Sequence, residues 1–413
     1  MPSRWGVSPD LECELRKNVI IMAAPFGYGP AAKALLIAQA LSDVADVTLF
    51  SSGDAYRFLA RYMQGPNVCR EGVFQSSYAL DSDLAPFDLF ISVNNDPAVH
   101  HLVSKGLEAR TVFVDSILLW RSANSTVRFR KPILAYLAQD FPGVASCLAR
   151  GQAQIVELTA PMVWSAERIE APGTPQDTST ARGGPGPARA ASGAPHRHGA
   201  VTLHLGGLTS PLVSWEMLRR PIEEIFRRSL ALTRRHGRKL TVVGSRNLGA
   251  LAGAEGDDVT VLGDVSPTQA AALVGSSEVL LSTPGVGAVY EALACGVPTI
   301  LLPPMNSTQL LQYGVLTDCG VPGSMHARAR ADLLQAGRSI PWDKQTAYSI
   351  RFLTRNLPAA LAELPRQVER LLGDGGRGPA FEEVQRLQAA FVGALSKTSA
   401  VDIVRKVLLG ERP

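Results

Sequence analysis

Residues 282–287 have the types and spacing of an anion-binding turn. They read Ser-Thr-Pro-Gly-Val-Gly and lie between a predicted buried strand, 278–281, and a stretch of small residues that predicts a helix. Glycine lets the backbone come close to a ligand, and the free N–H groups at the start of a helix favour an anion. We therefore expect the turn, which includes Gly285, Val286 and Gly287, to hold phosphate groups.

Glu291 adds a carboxylate to this turn. It follows Gly287 by four residues, so it should lie about one helical turn further on and face the turn. The next predicted strand, 297–302, opens into a second polar loop with Gln309. Loops at the carboxyl ends of neighbouring parallel strands form the usual ligand crevice of an α/β sheet. The sequence thus predicts a nucleotide-like ligand, with diphosphate at the turn, ribose at Glu291 and a hydroxyl-rich group at Gln309.

The stretch 283–303, TPGVGAVYEALACGVPTILLP, is followed by a Thr-Gln pair at 308–309. This pattern resembles the donor-nucleotide box of GT-B glycosyltransferases, a superfamily that includes plant and macrolide sugar transferases and the lipid-linked N-acetylglucosaminyl transferase of peptidoglycan synthesis. The resemblance implies that Gly285 and Gly287 hold the donor diphosphate, Glu291 the ribose and Gln309 the sugar.

The pattern departs from the plant-like box at two positions. Thr283 stands where that box has a phosphate-binding His, and Thr308 stands where it has an Asp. The resemblance implies an α/β fold with two facing Rossmann-like domains and a helical tail. We expect an acceptor-side domain over 1–170, a flexible linker over 171–200, a donor-binding domain over 201–320, and a tail over 321–413 that braces the first domain.

Both expected domains begin with a strand and a glycine-bearing loop. In the first, Gly27, Tyr28 and Gly29 follow strand 18–24, and this loop resembles the acceptor-facing loop of GT-B enzymes without its His. A tight turn whose glycines serve only packing is the alternative. In the second domain, Gly206 and Gly207 follow strand 201–205 and are expected beside the nucleotide.

Two further residues are expected at the nucleotide. Arg246 follows strand 240–243 and could pair with a phosphate in bidentate fashion, or it could be an ordinary exposed arginine. The main chain around Val265 is expected to hold the base.

Inverting glycosyl transfer needs a base that takes the proton of the acceptor hydroxyl. Asp115, at the end of strand 111–114, is the first candidate; Asp96 is the second and His100 the third. The alternatives are helix capping for both aspartates and a surface or half-buried role for the imidazole.

Composition limits the class of protein. The chain has 413 residues and a net charge of +4, and its basic residues form no stripe interleaved with aromatics, so nucleic acid is not an expected partner. Five scattered cysteines predict reduced thiols and no zinc site. With no signal peptide or bilayer-length apolar run expected, we place the protein in the cytoplasm without stable membrane insertion. A homodimer is a further expectation.

The sequence therefore predicts a metal-independent, inverting glycosyltransferase. It would use no cofactor, take UDP- or dTDP-sugar as donor, and glycosylate a small-molecule, natural-product-like or lipid-linked acceptor. Two alternatives stay open: a nucleotide-sugar epimerase or hydrolase of the same fold, and a non-catalytic nucleotide-sugar binder that assists a transferase.

Overall fold

The computed structural model describes residues 16–25, 27–63, 68–72, 86–116, 129–142, 144, 156–164, 199–206, 208, 213–254, 256–373 and 378–411. Gly207 and residues 171–198 of the expected linker lie outside these ranges. The described chain forms two parallel β-sheets with helices packed around them. The predicted α/β class is therefore confirmed.

Seven strands form the first sheet, in the order β3-β2-β1-β4-β5-β6-β7. Their bounds are β1 Lys17–Ala23, β2 Ala45–Ser51, β3 Val68–Glu71, β4 Leu89–Val93, β5 Thr111–Asp115, β6 Ala135–Gln139 and β7 Glu157–Thr159. The strand order reverses between β1 and β4, and such a switch point opens a crevice at the carboxyl ends of the strands. The loop with Gly27 and the loop with Asp96 border this crevice.

Five strands form the second sheet, in the order β10-β9-β8-β11-β12. Their bounds are β8 Ala200–Leu205, β9 Lys239–Gly244, β10 Val259–Gly263, β11 Val279–Ser282 and β12 Thr299–Leu301. Here the switch point lies between β8 and β11. Gly206 follows β8 and the glycine turn follows β11, so the fold places both beside the crevice.

Twelve α-helices lie in the described part of the chain. They are α1 Tyr28–Ala40, α2 Gly53–Tyr62, α3 Asp96–Ser104, α4 Trp215–Arg235, α5 Pro267–Gly275, α6 Ala288–Ala294, α7 Ser307–Asp318, α8 Ala327–Ser339, α9 Trp342–Ala360, α10 Leu364–Leu372, α11 Pro379–Ala394 and α12 Ala400–Leu408. A 3₁₀ segment, Arg246–Ala254, follows β9.

The central strands are apolar along their length because helices cover both faces of each sheet. β4 and β5 are buried at every position, as expected of parallel strands inside an α/β domain. The basic, aromatic stretch 120–141 has the pattern of an exposed loop and helix, but it contains β6. The sequence of β6, Ala-Tyr-Leu-Ala-Gln, is poor in β-branched residues, yet every position is buried between β5 and β7.

The last helix of the chain packs on the first sheet. Val401, Ile403 and Val404 of α12 join the apolar cluster of β1 and α1. Arg405 forms a bidentate ion pair with Asp43, with Nη1–Oδ1 and Nη2–Oδ2 distances of 2.8 and 2.5 Å. The last helix thus contacts the first sheet, while the expected domain boundaries and bracing role of the tail stay predictions.

Candidate functional site

The glycine turn is open on the side where a side chain would stand. A Cβ on Gly287 would meet no atom within 4 Å, and one on Gly285 would meet only the Thr283 carbonyl oxygen at 3.9 Å. Gly287 is the N-cap of α6 and provides no side-chain cap. The turn therefore leaves room for a ligand next to the N–H groups that begin the helix. Val286 packs its side chain against the core of the second sheet.

Two residues that were predicted to bind the nucleotide sugar hold the loops of the second sheet together. Thr283 Oγ1 donates to the Gly206 carbonyl oxygen at 3.0 Å, and Gln309 Nε2 donates to the same oxygen at 3.0 Å. Gln309 Oε1 accepts from the Met305 N–H at 2.8 Å. These bonds fix the ends of β8, β11 and β12 relative to one another, so both side chains position the crevice. Their contacts with phosphate and sugar stay predictions.

Gly206 and Thr308 have local structural roles. A Cβ at position 206 would lie 2.4 Å from Cε1 of His204, so any larger residue there would force the His204 ring to move. Thr308 Oγ1 donates to Asn306 Oδ1 at 2.7 Å, and the same oxygen caps α7 by accepting from the Gln309 N–H at 2.9 Å. Neither arrangement tests the expected nucleotide contacts.

Glu291 lies between the two sheets. Its side chain is buried, and Oε1 accepts a hydrogen bond from the Trp164 N–H of the first domain at 3.3 Å. Burial raises the pKa of Glu291 to about 7, while the Trp164 N–H and the Lys33 ammonium act in the opposite direction. The carboxylate therefore faces the gap between the domains, while its expected contact with the ribose stays a prediction.

The partner of Glu291 on the other side is Lys33, a buried residue of α1. Burial lowers the pKa of Lys33 to about 8, and the charge of Glu291 opposes that shift. Sequence reasoning missed both Lys33 and Trp164. A lone lysine within the apolar run Ala-Ala-Lys-Ala-Leu-Leu-Ile-Ala was the available signal for the first, while no local signal marks the second.

A polar and aromatic pocket bridges the domains at the mouth of the crevice. Asp264, which follows β10, accepts from Tyr28 Oη at 3.2 Å and pairs with Arg61 Nη1 at 3.5 Å, and its backbone oxygen accepts from Tyr62 Oη. Phe58 stacks on Tyr28 with ring centroids 4.9 Å apart. The residues that line the pocket are Tyr28, Asp54, Arg57, Phe58, Arg61, Tyr62, Arg246 and Asp264.

The structure brings two predicted residues, Tyr28 and Arg246, to this pocket, and a third, Val265, is next in sequence to a lining residue. Arg246 is 62% exposed and lies 3.8 Å from Asp54 of α2. Val265 directly follows Asp264, and Tyr28 comes from the acceptor-side loop. Gly27, the N-cap of α1, has φ 72°, a conformation that favours glycine, whereas a Cβ on Gly29 would meet no atom within 4 Å. The backbone conformation of the loop therefore requires glycine at position 27, whereas position 29 has room for a side chain.

The three candidate bases have different surroundings. Asp115 is fully buried and accepts a hydrogen bond from Tyr136 Oη at 2.5 Å. Asp96 opens α3 and is half-buried, but Asn95 provides the cap, accepting from the Ala98 N–H at 3.4 Å. The exposed His100 ring packs edge-on against Phe129, with centroids 5.0 Å apart. The identity of the base stays a prediction.

Within the described residues, no group of three or more His, Cys, Asp or Glu side chains could hold a metal ion. In the same ranges, no helix is long and apolar enough to cross a membrane. Cys69, Cys295 and Cys319 are free thiols.

Comparison with known protein families matches residues 148–343 to the family described as CGA synthase-related protein. Among curated proteins, none matches the chain. Solved structures do match along nearly its whole length. The Medicago truncatula protein UGT71G1, complexed with UDP-glucose, has a TM-score of 0.54 at 12% identity, with 96% of this chain and 98% of that chain covered.

Two further structures give similar values. Phytolacca americana UGT2, complexed with UDP-2fluoro-glucose and pterostilbene, has a TM-score of 0.52 at 11% identity, and 96% of this chain and 100% of that chain are covered. The spinosyn rhamnosyltransferase SpnG has a TM-score of 0.51 at 14% identity, again with 96% and 100% covered. The protein therefore has the GT-B fold that its donor-box resemblance implied.

Proposed function

We propose that the protein transfers a glycosyl group from a nucleoside diphosphate sugar to a small-molecule or lipid-linked acceptor. One observation carries the proposal. An open glycine turn at the switch point of the second sheet is followed, one helical turn later, by a carboxylate that faces the other domain. The turn suits a diphosphate and the carboxylate suits ribose hydroxyls, so the pair fits a nucleoside diphosphate.

The donor is proposed to lie with its diphosphate at 285–287 and its base near Val265. UDP or dTDP is the expected nucleotide, and the similar structures solved with UDP-glucose and UDP-2fluoro-glucose support UDP. The N–H groups of the turn would stabilise the leaving diphosphate, with Arg246 as an added cation at the pocket. On this basis, the reaction needs no metal ion.

The acceptor is proposed to enter at the carboxyl ends of the first sheet. There a base removes the hydroxyl proton as the oxygen attacks the anomeric carbon, which inverts the configuration. Asp96 and His100 are the candidates with solvent-accessible side chains. Asp115 is fully buried and hydrogen-bonded to Tyr136.

A donor screen tests the proposal. The protein is incubated with UDP-, dTDP- and GDP-sugars, with and without EDTA, and released nucleoside diphosphate is measured by mass spectrometry. We expect slow hydrolysis of one donor class, unchanged by EDTA and lost in Glu291→Ala. Glu382→Ala, a change of an exposed glutamate on α11, is the matched control. If no nucleotide sugar is bound or cleaved, the proposal fails.

The burial of Asp115 favours one second candidate, a non-catalytic nucleotide-sugar binder. Donor binding by calorimetry without release of nucleotide, in the presence of a broad acceptor panel, would support that alternative. A changed sugar recovered without any acceptor would instead identify an epimerase.

A further inference from the structure

His204 is a polar residue of the second sheet that the proposed mechanism does not use. It lies on β8, one residue before the strand ends. Among the residues that the structure describes, none pairs with its Nδ1, and this nitrogen is buried. Leaving a buried polar atom unpaired is costly, and such atoms in folded proteins nearly always have a hydrogen-bond partner. The nitrogen therefore needs a partner that a ligand can supply.

The imidazole ring of His204 extends toward the carboxyl end of β8. A Cβ at position 206 would lie 2.4 Å from Cε1 and 3.1 Å from Nδ1 of His204, so the ring occupies the space where a side chain of residue 206 would stand. Gly206 is the first residue after β8, at the switch point between β8 and β11. The glycine thus lets the ring reach the edge of the sheet where ligands bind in open α/β folds.

The neighbouring strand β11 brings His204 close to the glycine turn. Ser282 pairs with His204 in register, and the Thr283 N–H donates to the His204 carbonyl oxygen at 3.2 Å. Thr283 Oγ1 also donates to the carbonyl oxygen of Gly206 at 3.0 Å. The residues expected to hold the diphosphate, 285–287, follow Thr283 in the chain. His204 and the glycine turn therefore lie at the same end of two paired strands.

The side chain of His204 also lies on the face of the sheet that α6 covers. Side chains two residues apart on a strand share a face, so His204 points to the same side as Thr202. Leu280 is in register with Thr202 and packs against Ala288 and Ala292 of α6. Since α6 begins after the glycine turn, the imidazole and the turn share both an edge and a face of the sheet.

We propose that His204 binds the diphosphate of the nucleotide sugar, with its Nδ1–H donating a hydrogen bond to a phosphate oxygen. This inference rests on the proposed function, because that function assigns the diphosphate to the glycine turn. Burial lowers the pKa of His204 to about 4, while its own carbonyl group acts in the opposite direction, so the ring is neutral in the free protein. A neutral imidazole has one N–H, which one of its two tautomers places on Nδ1. A hydrogen bond from that N–H to an ionised phosphate is stronger than one between neutral groups.

Calorimetric titration of the full chain with UDP and with uridine tests the proposal. His204→Leu should weaken UDP binding about tenfold or more and leave uridine binding unchanged, because uridine has no phosphate. His204→Asn, whose amide nitrogen can stand close to the position of Nδ1, should recover most of the UDP affinity. Unchanged UDP affinity in His204→Leu would overturn the role of His204 and leave the proposed function intact. Absence of UDP binding by the wild type would overturn both.

Urea unfolding of the unliganded protein separates a ligand contact from a structural role. Because Nδ1 has no partner in the described part of the chain, His204→Leu should unfold at a midpoint no lower than that of the wild type. His326→Leu is the matched control, because Nδ1 of the exposed His326 accepts from the Arg328 N–H at 3.3 Å. This control should lower the midpoint and leave UDP affinity unchanged. A lower midpoint for His204→Leu, together with parallel losses of UDP and uridine affinity, would assign the ring to the fold and overturn the proposal.

Discussion

Glu291 and Lys33 make the stability of the folded protein depend on pH. The pKa of Glu291 rises from 4.5 to about 7, so the folded state holds this proton more tightly than the unfolded chain. Its contribution to stability is present below pH 4.5 and is lost as the pH rises through 7. The pKa of Lys33 falls from 10.5 to about 8, so its contribution is unfavourable below pH 8 and is relieved as the pH approaches 10.5.

A first prediction follows for Glu291→Gln. Between pH 5 and pH 8, the wild type should lose up to about 3 kcal/mol of stability that the variant does not lose, because only the wild type ionises a buried carboxyl group there. Melting temperatures measured across this range check the difference. Glu382→Gln, at an exposed site, should follow the wild type; parallel curves for wild type and Glu291→Gln would contradict the prediction.

A second prediction concerns Asp115. Its hydrogen bond from Tyr136 is buried, so Tyr136→Phe removes the donor and leaves the carboxylate with one partner fewer. We expect a loss of about 1–3 kcal/mol in the free energy of unfolding, measured by urea titration. Tyr56→Phe, at a half-buried tyrosine of α2, provides the comparison and should change stability little. Equal losses in the free energy of unfolding for the two variants would show that the Tyr136–Asp115 hydrogen bond does not stabilise the fold.

Residue spacing predicted the location of Glu291 but not its partners. The four-residue offset from Gly287 follows from helix geometry, and the structure has the carboxylate at the interdomain gap. Trp164 is 127 residues away in sequence, and its contribution is a backbone N–H that any residue type could make. Gln309 likewise has backbone partners, Gly206 and Met305, which a single sequence does not specify.

At the scale of elements, the sequence predicted best where burial is continuous. β1, β4, β8 and β11 are covered on both faces, so their apolar runs mark them directly. β6 was missed because its alanines carry little strand preference and its pairing with β5 and β7 fixes it instead. β3 is a short and mostly exposed strand, Val-Cys-Arg-Glu, without an apolar alternation to reveal it.

The docking of α12 gives a third prediction, which separates apolar packing from charge. Val404 is fully buried against the first sheet, whereas the Arg405–Asp43 ion pair is solvent-exposed. Val404→Ala should cost about 2 kcal/mol of stability because it leaves a cavity, and Arg405→Ala should cost no more than about 1 kcal/mol. Chemical denaturation of both variants checks the order. A larger loss for Arg405→Ala would mean that charge, not packing, holds the helix.

At the scale of the whole molecule, both sheets direct the carboxyl ends of their switch-point strands to one gap. The glycine turn, Glu291 and Asp264 come from the second domain; Tyr28, Lys33 and Trp164 come from the first. This arrangement was predictable from the repeat of strand, glycine loop and helix in the two halves. The contacts of Asp264 with Tyr28, Arg61 and Tyr62 were not predictable, because they depend on how α2 and the loop after β10 meet.

The last prediction concerns Asp264, which makes all three of these contacts from the second domain. Its backbone is left-handed, with φ 53°, so glycine can replace it without strain while removing the carboxylate that Tyr28 and Arg61 contact. In Asp264→Gly the closed arrangement loses the partly buried Tyr28 contact and the exposed Arg61 contact, and keeps the Tyr62 bond to the backbone oxygen. At about 1 kcal/mol for the pair, the open population should grow about fivefold.

Single-molecule energy transfer between one dye on each domain measures that population, and UDP titration of the same sample reports donor affinity. The distance distribution of Asp264→Gly should broaden toward longer distances, and saturating UDP should narrow it again if the nucleotide binds at the gap beside Glu291 as proposed. Arg57→Ala is the control, because Arg57 pairs with Asp54 of its own helix and makes no bond to Asp264 among the described contacts. An unchanged distribution in Asp264→Gly would mean that the side-chain contacts of Asp264 do not hold the domains together.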